Sequence, residues 1–276
     1  MTGCLIDDNM TTALIAEPIR QSWVESSIEF ELAPGLDAET VGQRSGCALV
    51  GSVDACLLAD RFTVITDVAL ASWHAGAVAL WTPVRPDEID NVPVVLNGVS
   101  RTAEAIARAT IARFFGITIT GWERGESNGD AVVREHEGAF FEEVEPATLN
   151  DLVRSWFVLS GLPVATHLLV APTALLEEEP NEVASVVEAL KSAGSVGVSR
   201  RREIRRNMHT QFPGDRDQLV MFHNEQTLTL TKTVRKGWLD LIRRVGRAMN
   251  LPLPETVSFH TFGAADESGQ PDVADS

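Results

Sequence analysis

The run Val94-Val95-Leu96-Asn97-Gly98-Val99-Ser100-Arg101-Thr102 carries the clearest chemical signal in this 276-residue chain. An apolar strand feeds a glycine-containing turn, and a helix begins at Arg101. The first N–H groups of a helix have no partner inside it, and the helix dipole adds positive potential, so such an end attracts anions. Ser100 and Thr102 add hydroxyl donors. Arg101 can offer a two-pronged fork to a carboxylate. The same residues also spell a plain N-cap followed by a solvent-facing arginine, and spacing alone does not separate the two readings.

Two further strand-to-helix turns carry polar groups. One holds Asn9, Thr11 and Thr12, the other Gly51 and Ser52. A Ser or Thr at a helix start is commonly only a cap. Three such turns in one α/β chain carry more weight, because open parallel sheets bind ligands beyond the carboxyl ends of their strands. His136-Glu137 follows an apolar run at 131–133 and reads either as a cleft pair or as a surface-loop pair. The six histidines show no metal-ligand spacing. No dinucleotide fingerprint, phosphate loop or nucleophile elbow is present, so no metal and no cofactor are expected. The six tryptophans read as core, with Trp73 and Trp81 near a crossing between lobes.

The elements that must position these residues alternate. Residues 3–6, 47–50, 62–65, 78–81, 94–96, 131–133 and 164–170 read as strands. Residues 13–23, 53–58, 101–115 and 149–159 read as helices, and the chain from 181 to 249 reads as four more. Alternation of this kind predicts an α/β fold of two lobes, each a mainly parallel sheet flanked by helices. Lobe 1 is expected over 1–83 plus 166–262 and lobe 2 over 84–165, with a ligand cleft between them. The proline-punctuated stretch 83–93 reads as the hinge, 164–170 as the return crossing, and 263–276 as a disordered acidic tail.

A net charge of −16 argues against non-specific binding to nucleic acid or to an anionic membrane. The charge is uneven. Residues 191–247 hold 13 of the 23 Lys and Arg with only five acids, a local balance of +8. The run Arg200-Arg201-Arg202-Glu203-Ile204-Arg205-Arg206 reads as a solvated helix face that complements acidic neighbours. Cys4, Cys47 and Cys56 lack paired spacing and suit buried thiols in a reducing compartment. No basic leader or uninterrupted apolar span is visible, so a soluble cytoplasmic protein is expected, monomer or homodimer.

In order along the chain, Val50-Gly51-Ser52-Val53-Asp54, the crossing to Trp81, V-V-L-N-G-V-S-R-T, D-L-V-R-S-W (151–156) and S-G-L-P-V-A (160–165) resemble the chorismate dehydratases of the futalosine route to menaquinone. The resemblance spans roughly residues 3–250. It implies a fold like type 2 periplasmic binding proteins and loss of water from chorismate to give an aromatic enolpyruvyl benzoate. By the same resemblance Ser100, Arg101 and Thr102 would bind a carboxylate, and Ser52 and Thr11 would line the cleft. The sequence departs where the family has an asparagine before that threonine (Met10 here), an aspartate at Asn97 and Gly-Asp at His136-Glu137.

These readings lead to a chorismate dehydratase-like carbon–oxygen lyase of menaquinone biosynthesis. Ser100, Arg101, Thr102, Asn97 and His136 would bind substrate from lobe 2, and Thr11, Thr12 and Ser52 from lobe 1. Asn9 or Glu137 would assist proton movement. The ligand is a small carboxylate. The alternative is a non-catalytic or divergent small-carboxylate-binding protein of the same fold, and a third reading is an enzyme acting on a later naphthoate precursor.

Overall fold

The computed structural model describes residues 3–125, 130–140, 148–211, 216–252 and 254–262, so the tail 263–276 lies outside the described residues. The chain begins with β1 (Gly3–Asp7), α1 (Ala13–Arg20), β2 (Glu29–Ala33), α2 (Ala38–Gly42), β3 (Cys47–Gly51), α3 (Ser52–Leu57) and β4 (Phe62–Ser72). A crossing at 73–77 leads to β5 (Val78–Thr82), β6 (Val92–Leu96), α4 (Arg101–Phe115), β7 (Ile119–Arg124), β8 (Val132–Glu135), β9 (Thr148–Asp151) and α5 (Leu152–Ser160). The chain returns through 161–163 to β10 (Val164–Pro172), α6 (Thr173–Glu178), α7 (Pro180–Ser199), α8 (Arg201–Gln211), α9 (Arg216–Glu225), α10 (Lys232–Met249) and β11 (Phe259–His260).

The strands form two sheets. The first has the order β11-β4-β10-β3-β1-β2 and the second β7-β6-β8-β5-β9. Both are mixed. β1 pairs in parallel with β2 and β3, and β6 with β7 and β8. The strands that follow the two crossings run against their neighbours: β10 is antiparallel to β3 and β4, and β5 to β8 and β9. β5 therefore belongs to the second sheet, not to the first as a boundary at residue 83 would place it. The proline-rich stretch 83–93 lies inside the second lobe, joining β5 to β6, and is not the hinge. The links between sheets are 73–77 and 161–163.

Apolar strands buried on both faces account for the sheets. All five residues of β3 are buried, and in β10 only Pro172 is not. One core cluster runs through both lobes, from Val50 and Val170 to Val94, Trp156 and Trp238. α10 is the strap behind it. Its buried face carries Val234, Trp238, Leu241, Ile242 and Val245, a 3–4 residue spacing that puts them on one stripe. The Trp238 indole donates to the Ser52 carbonyl at 3.1 Å. Gly237 sits so close to the return crossing that a Cβ there would lie 2.2 Å from the Pro163 carbonyl oxygen. The three cysteines are free and buried. Among the described residues, no helix is long and apolar enough to cross a membrane.

Asp151 fixes the outgoing crossing. One of its carboxylate oxygens accepts from Val153 and Arg154 at the start of α5, and the other from the Gly76 N–H at 2.8 Å. Burial pushes its pKa up from 3.8 to about 6, against the pull of those N–H groups. A carboxyl whose folded-state pKa is raised stabilises the fold most when protonated, and loses that contribution as pH rises through the folded value. The wild-type chain is expected to gain stability as pH falls from about 7 to about 5, and Asp151→Asn to flatten that slope. Thermal midpoints of both proteins across this range check it; equal slopes would overturn it.

Candidate active site

The carboxyl ends of β1, β3 and β8 and the N-terminus of α4 converge between the sheets. From the first lobe come Asp7, Asn9, Thr11, Gly51, Asp54 and His167; from the second come Ser100, Thr102, Glu135 and His136. The space they enclose is about 20 Å³, room for about one water. Ligand pockets are commonly an order of magnitude larger. At this spacing of the lobes the space between these groups holds no more than a few atoms.

The turn after β1 orients the first-lobe groups. The Asn9 side-chain oxygen accepts from the N–H groups of Thr11 at 2.9 Å and Thr12 at 3.2 Å, which fixes its amide. Its Nδ2 is thereby aimed at His167 Nε2, 3.2 Å away. The same ring nitrogen lies 3.2 Å from Asp7 Oδ2. A protonated Nε2 donates to Asp7; a bare one accepts from Asn9. Each protonation state of the ring thus has a partner in place. His167 is 5% exposed, and its Nδ1 has no hydrogen-bond partner among the described residues.

The Ser100-Arg101-Thr102 step sits as its helix-start chemistry predicts, but each of its residues is engaged internally. The Ser100 N–H donates to Glu135 Oε2 at 2.7 Å and its hydroxyl to Oε1 at 2.8 Å, while that hydroxyl also accepts from the Ala103 N–H. Arg101 pairs with Asp54 on α3, across the cleft. Thr102 Oγ1 accepts from the Val53 N–H at 3.2 Å, again across the cleft. Two of the three residues therefore dock lobe on lobe, and the third holds a carboxylate of the protein itself. Burial pushes the Asp54 carboxyl above its ordinary range, opposed by the Ala38 N–H and by Arg101. Among the described residues the lining holds three carboxylates and two imidazoles but no lysine or arginine.

The remaining expected residues fall in several places. Thr11 lines the cleft, and its carbonyl accepts from Gln226 at 2.8 Å. Thr12 is wholly buried beneath the turn, its hydroxyl donating to the Asp7 carbonyl, so it shapes the turn and does not face a ligand. Ser52 is also fully buried and lies behind Gly51, outside the lining; its hydroxyl has no partner among the described residues. Gly51 faces the cleft because a side chain does not fit comfortably: a Cβ would lie 3.1 Å from Thr102 Oγ1. Asn97 is exposed in its turn and outside the lining. Arg101 stays largely at the surface, 43% of its side chain exposed. His136 lines the cleft with φ of +54°, a kink that ends β8 and carries Glu137 into a short 3-10 turn, away from the lining. The second-lobe acid in the lining is Glu135, one residue before the kink. Asp7, Asp54, Glu135 and His167 were not anticipated. Among the described residues no cluster of His, Cys, Asp and Glu suits a metal ion.

Solved structures share this architecture at low identity. Protein AF1704 from Archaeoglobus fulgidus is 13% identical, spans 90% of this chain and 97% of its own, and superposes with a TM-score of 0.68. The Candida albicans CA3427 gene product, described as having the generic periplasmic binding protein fold, is 12% identical over 90% of each chain, TM-score 0.61. The periplasmic aliphatic sulphonate binding protein SsuA from Escherichia coli is 10% identical over 93% of this chain and 89% of its own, TM-score 0.59. At such identities the likeness establishes the fold, that of periplasmic binding proteins. No curated protein matches the chain significantly by sequence. A family model described as menaquinone biosynthesis matches residues 35–247, well over half of the chain. The chain belongs to this menaquinone-biosynthesis family.

Proposed function

We propose that the protein is a cytoplasmic chorismate dehydratase-like lyase working in the interlobe cleft. The observation that carries this reading is His167, buried at the strand ends with Asp7 and Asn9 both 3.2 Å from one ring nitrogen. Elimination of water from a ring needs a base for the C–H proton and an acid for the departing hydroxyl. A buried imidazole with a partner for each protonation state suits the first task. Asp54, held protonated more readily by its burial, suits the second. Cleft closure would exclude water during the reaction.

Chorismate carries two carboxylates, and the closed cleft already holds two of its own at the matching donors. Binding on this reading is an exchange. The substrate's carboxylates replace Glu135 at Ser100 and Asp54 at Arg101, and the lobes reclose around them. A helix N-terminus and a guanidinium are suited to either occupant.

A second reading, a non-catalytic carboxylate-binding protein, is favoured by the same internal occupancy, since such a cleft can serve as a switch without chemistry. Incubating the pure protein with chorismate and following loss of water by mass spectrometry separates the two. Turnover is expected; a cleft that binds chorismate but never converts it would leave only the binding reading. His167→Asn is expected to lower kcat by about 10²–10⁴-fold with a much smaller change in KM. Loss confined to KM would remove His167 from the chemistry. Glu135→Gln, which leaves the fold's hydrogen bonds feasible but removes the competing charge, is expected to lower KM about tenfold. A rise in KM would show that Glu135 contacts the substrate and is not displaced by it.

A further inference from the structure

The basic stretch at 200–206 is not simply a solvated face. α8 turns Ile204 fully inward against Ala13 and Leu14 of the first lobe. Arg201 and Arg205, one helical turn apart, flank Ile204 on that side and are partly buried. α9 packs beside α8 and turns His223 inward with 0% exposure. Arg205 donates to Asn224 at 3.3 Å, which ties its guanidinium to the residue next to His223.

The acid of α8, Glu203, lies 3.7 Å from Arg200. Among the described residues no carboxylate forms an ion pair with Arg201 or Arg205. Arg201 Nε is buried without a hydrogen-bond partner, and so are both ring nitrogens of His223. A buried polar atom left unpaired costs more than the hydrogen bond it could have formed would contribute. Burial, then the charges of Arg205 and Arg201, push the His223 pKa down to about 3. Burial and neighbouring arginines also lower both Arg201 and Arg205.

We infer that the packed faces of α8 and α9 form an anion site in which Arg201, Arg205 and His223 bind the terminal oxygens of a phosphate or phosphomonoester. Two guanidiniums and an imidazole can serve three acceptor oxygens and a double negative charge, which a carboxylate does not supply. The site is separate from the cleft and does not rest on the reaction proposed there. It nevertheless sits on an element that touches both lobes. α9 packs Leu219 and Phe222 against Met10 of the first lobe and Ala79, Ala139 and Phe140 of the second.

The test is titration of the full chain with inorganic phosphate, read by calorimetry and by the ring resonances of His223, against chloride at matched ionic strength. A second arm uses ribose 5-phosphate, and a third a short single-stranded RNA. Saturable phosphate binding that moves the His223 resonances is expected. Stronger binding of the sugar phosphate would point to a phosphomonoester, and equal binding to free phosphate. Arg201→Gln and Arg205→Gln should each weaken binding at least about tenfold, whereas the exposed Arg206→Gln should leave it unchanged. Equal effects of chloride and phosphate on His223, equal losses at Arg201 and Arg206, or binding of RNA alone would each overturn the site. Should either glutamine variant fail to fold, the wild-type comparison of phosphate with chloride still decides.

Discussion

The N-terminus of α4 is where the two lobes are held together. A helix start offers unpaired N–H groups and positive potential, and something must satisfy them. Here the protein does so itself. Glu135 at the end of β8 accepts from the Ser100 N–H and the Ser100 hydroxyl from the Ala103 N–H; beside them, Arg101 reaches Asp54 on α3 and Thr102 accepts from Val53, both across the cleft. The closeness of Gly51 to Thr102 belongs to the same contact, and Gly237 packs α10 tightly under the return crossing. The cleft is nearly empty of space.

Much of this was legible in the residues. The strand–turn–helix step at 94–115 is written in apolar β-branched residues, an N-cap serine and a terminal glycine at position 116, whose φ of +76° ends the helix. The crossing strands β5 and β10 stand out as apolar runs. The edge strands β2, β7 and β9 do not, because an edge is half solvated and its residues need not be apolar; β2 reads Glu-Phe-Glu-Leu-Ala and is partly exposed throughout. β4 was seen only as its first four residues, since Asp67 interrupts its pattern midway.

The site was legible in its helix-start donors and not in its acids. Asp7, Asp54 and Glu135 sit at element ends, where an acid ordinarily reads as a solvated cap. Residue types at 136–137 do not separate a cleft pair from a surface-loop pair, because the kink at His136 cannot be read from them: a histidine at positive φ has no sequence signature. His167 had a signal that could have been used. It is the one ionisable residue in the strand Val164–Pro172, and an ionisable group on a buried strand needs a partner. The fold accommodates both enzymes and binding proteins: a desulfurization enzyme superposes with a TM-score of 0.58 and covers 94% of this chain, about as well as the sulphonate binding protein. Activity within this architecture is decided by a few groups at the strand ends, not by the scaffold.

Because Glu135 is part of the chain, it competes for the helix end at a fixed local concentration that dilution cannot lower. On the proposed exchange, a soluble acid must outcompete a tethered rival, and its apparent affinity is its intrinsic one reduced by the fraction of molecules whose cleft stands open. On that exchange a monoacid displaces one internal carboxylate, either Glu135 within the second lobe or Asp54 across the cleft, while a diacid displaces both. The protein's own glutamate thereby sets, on the proposed exchange, the threshold that any acid must pass to take the helix end.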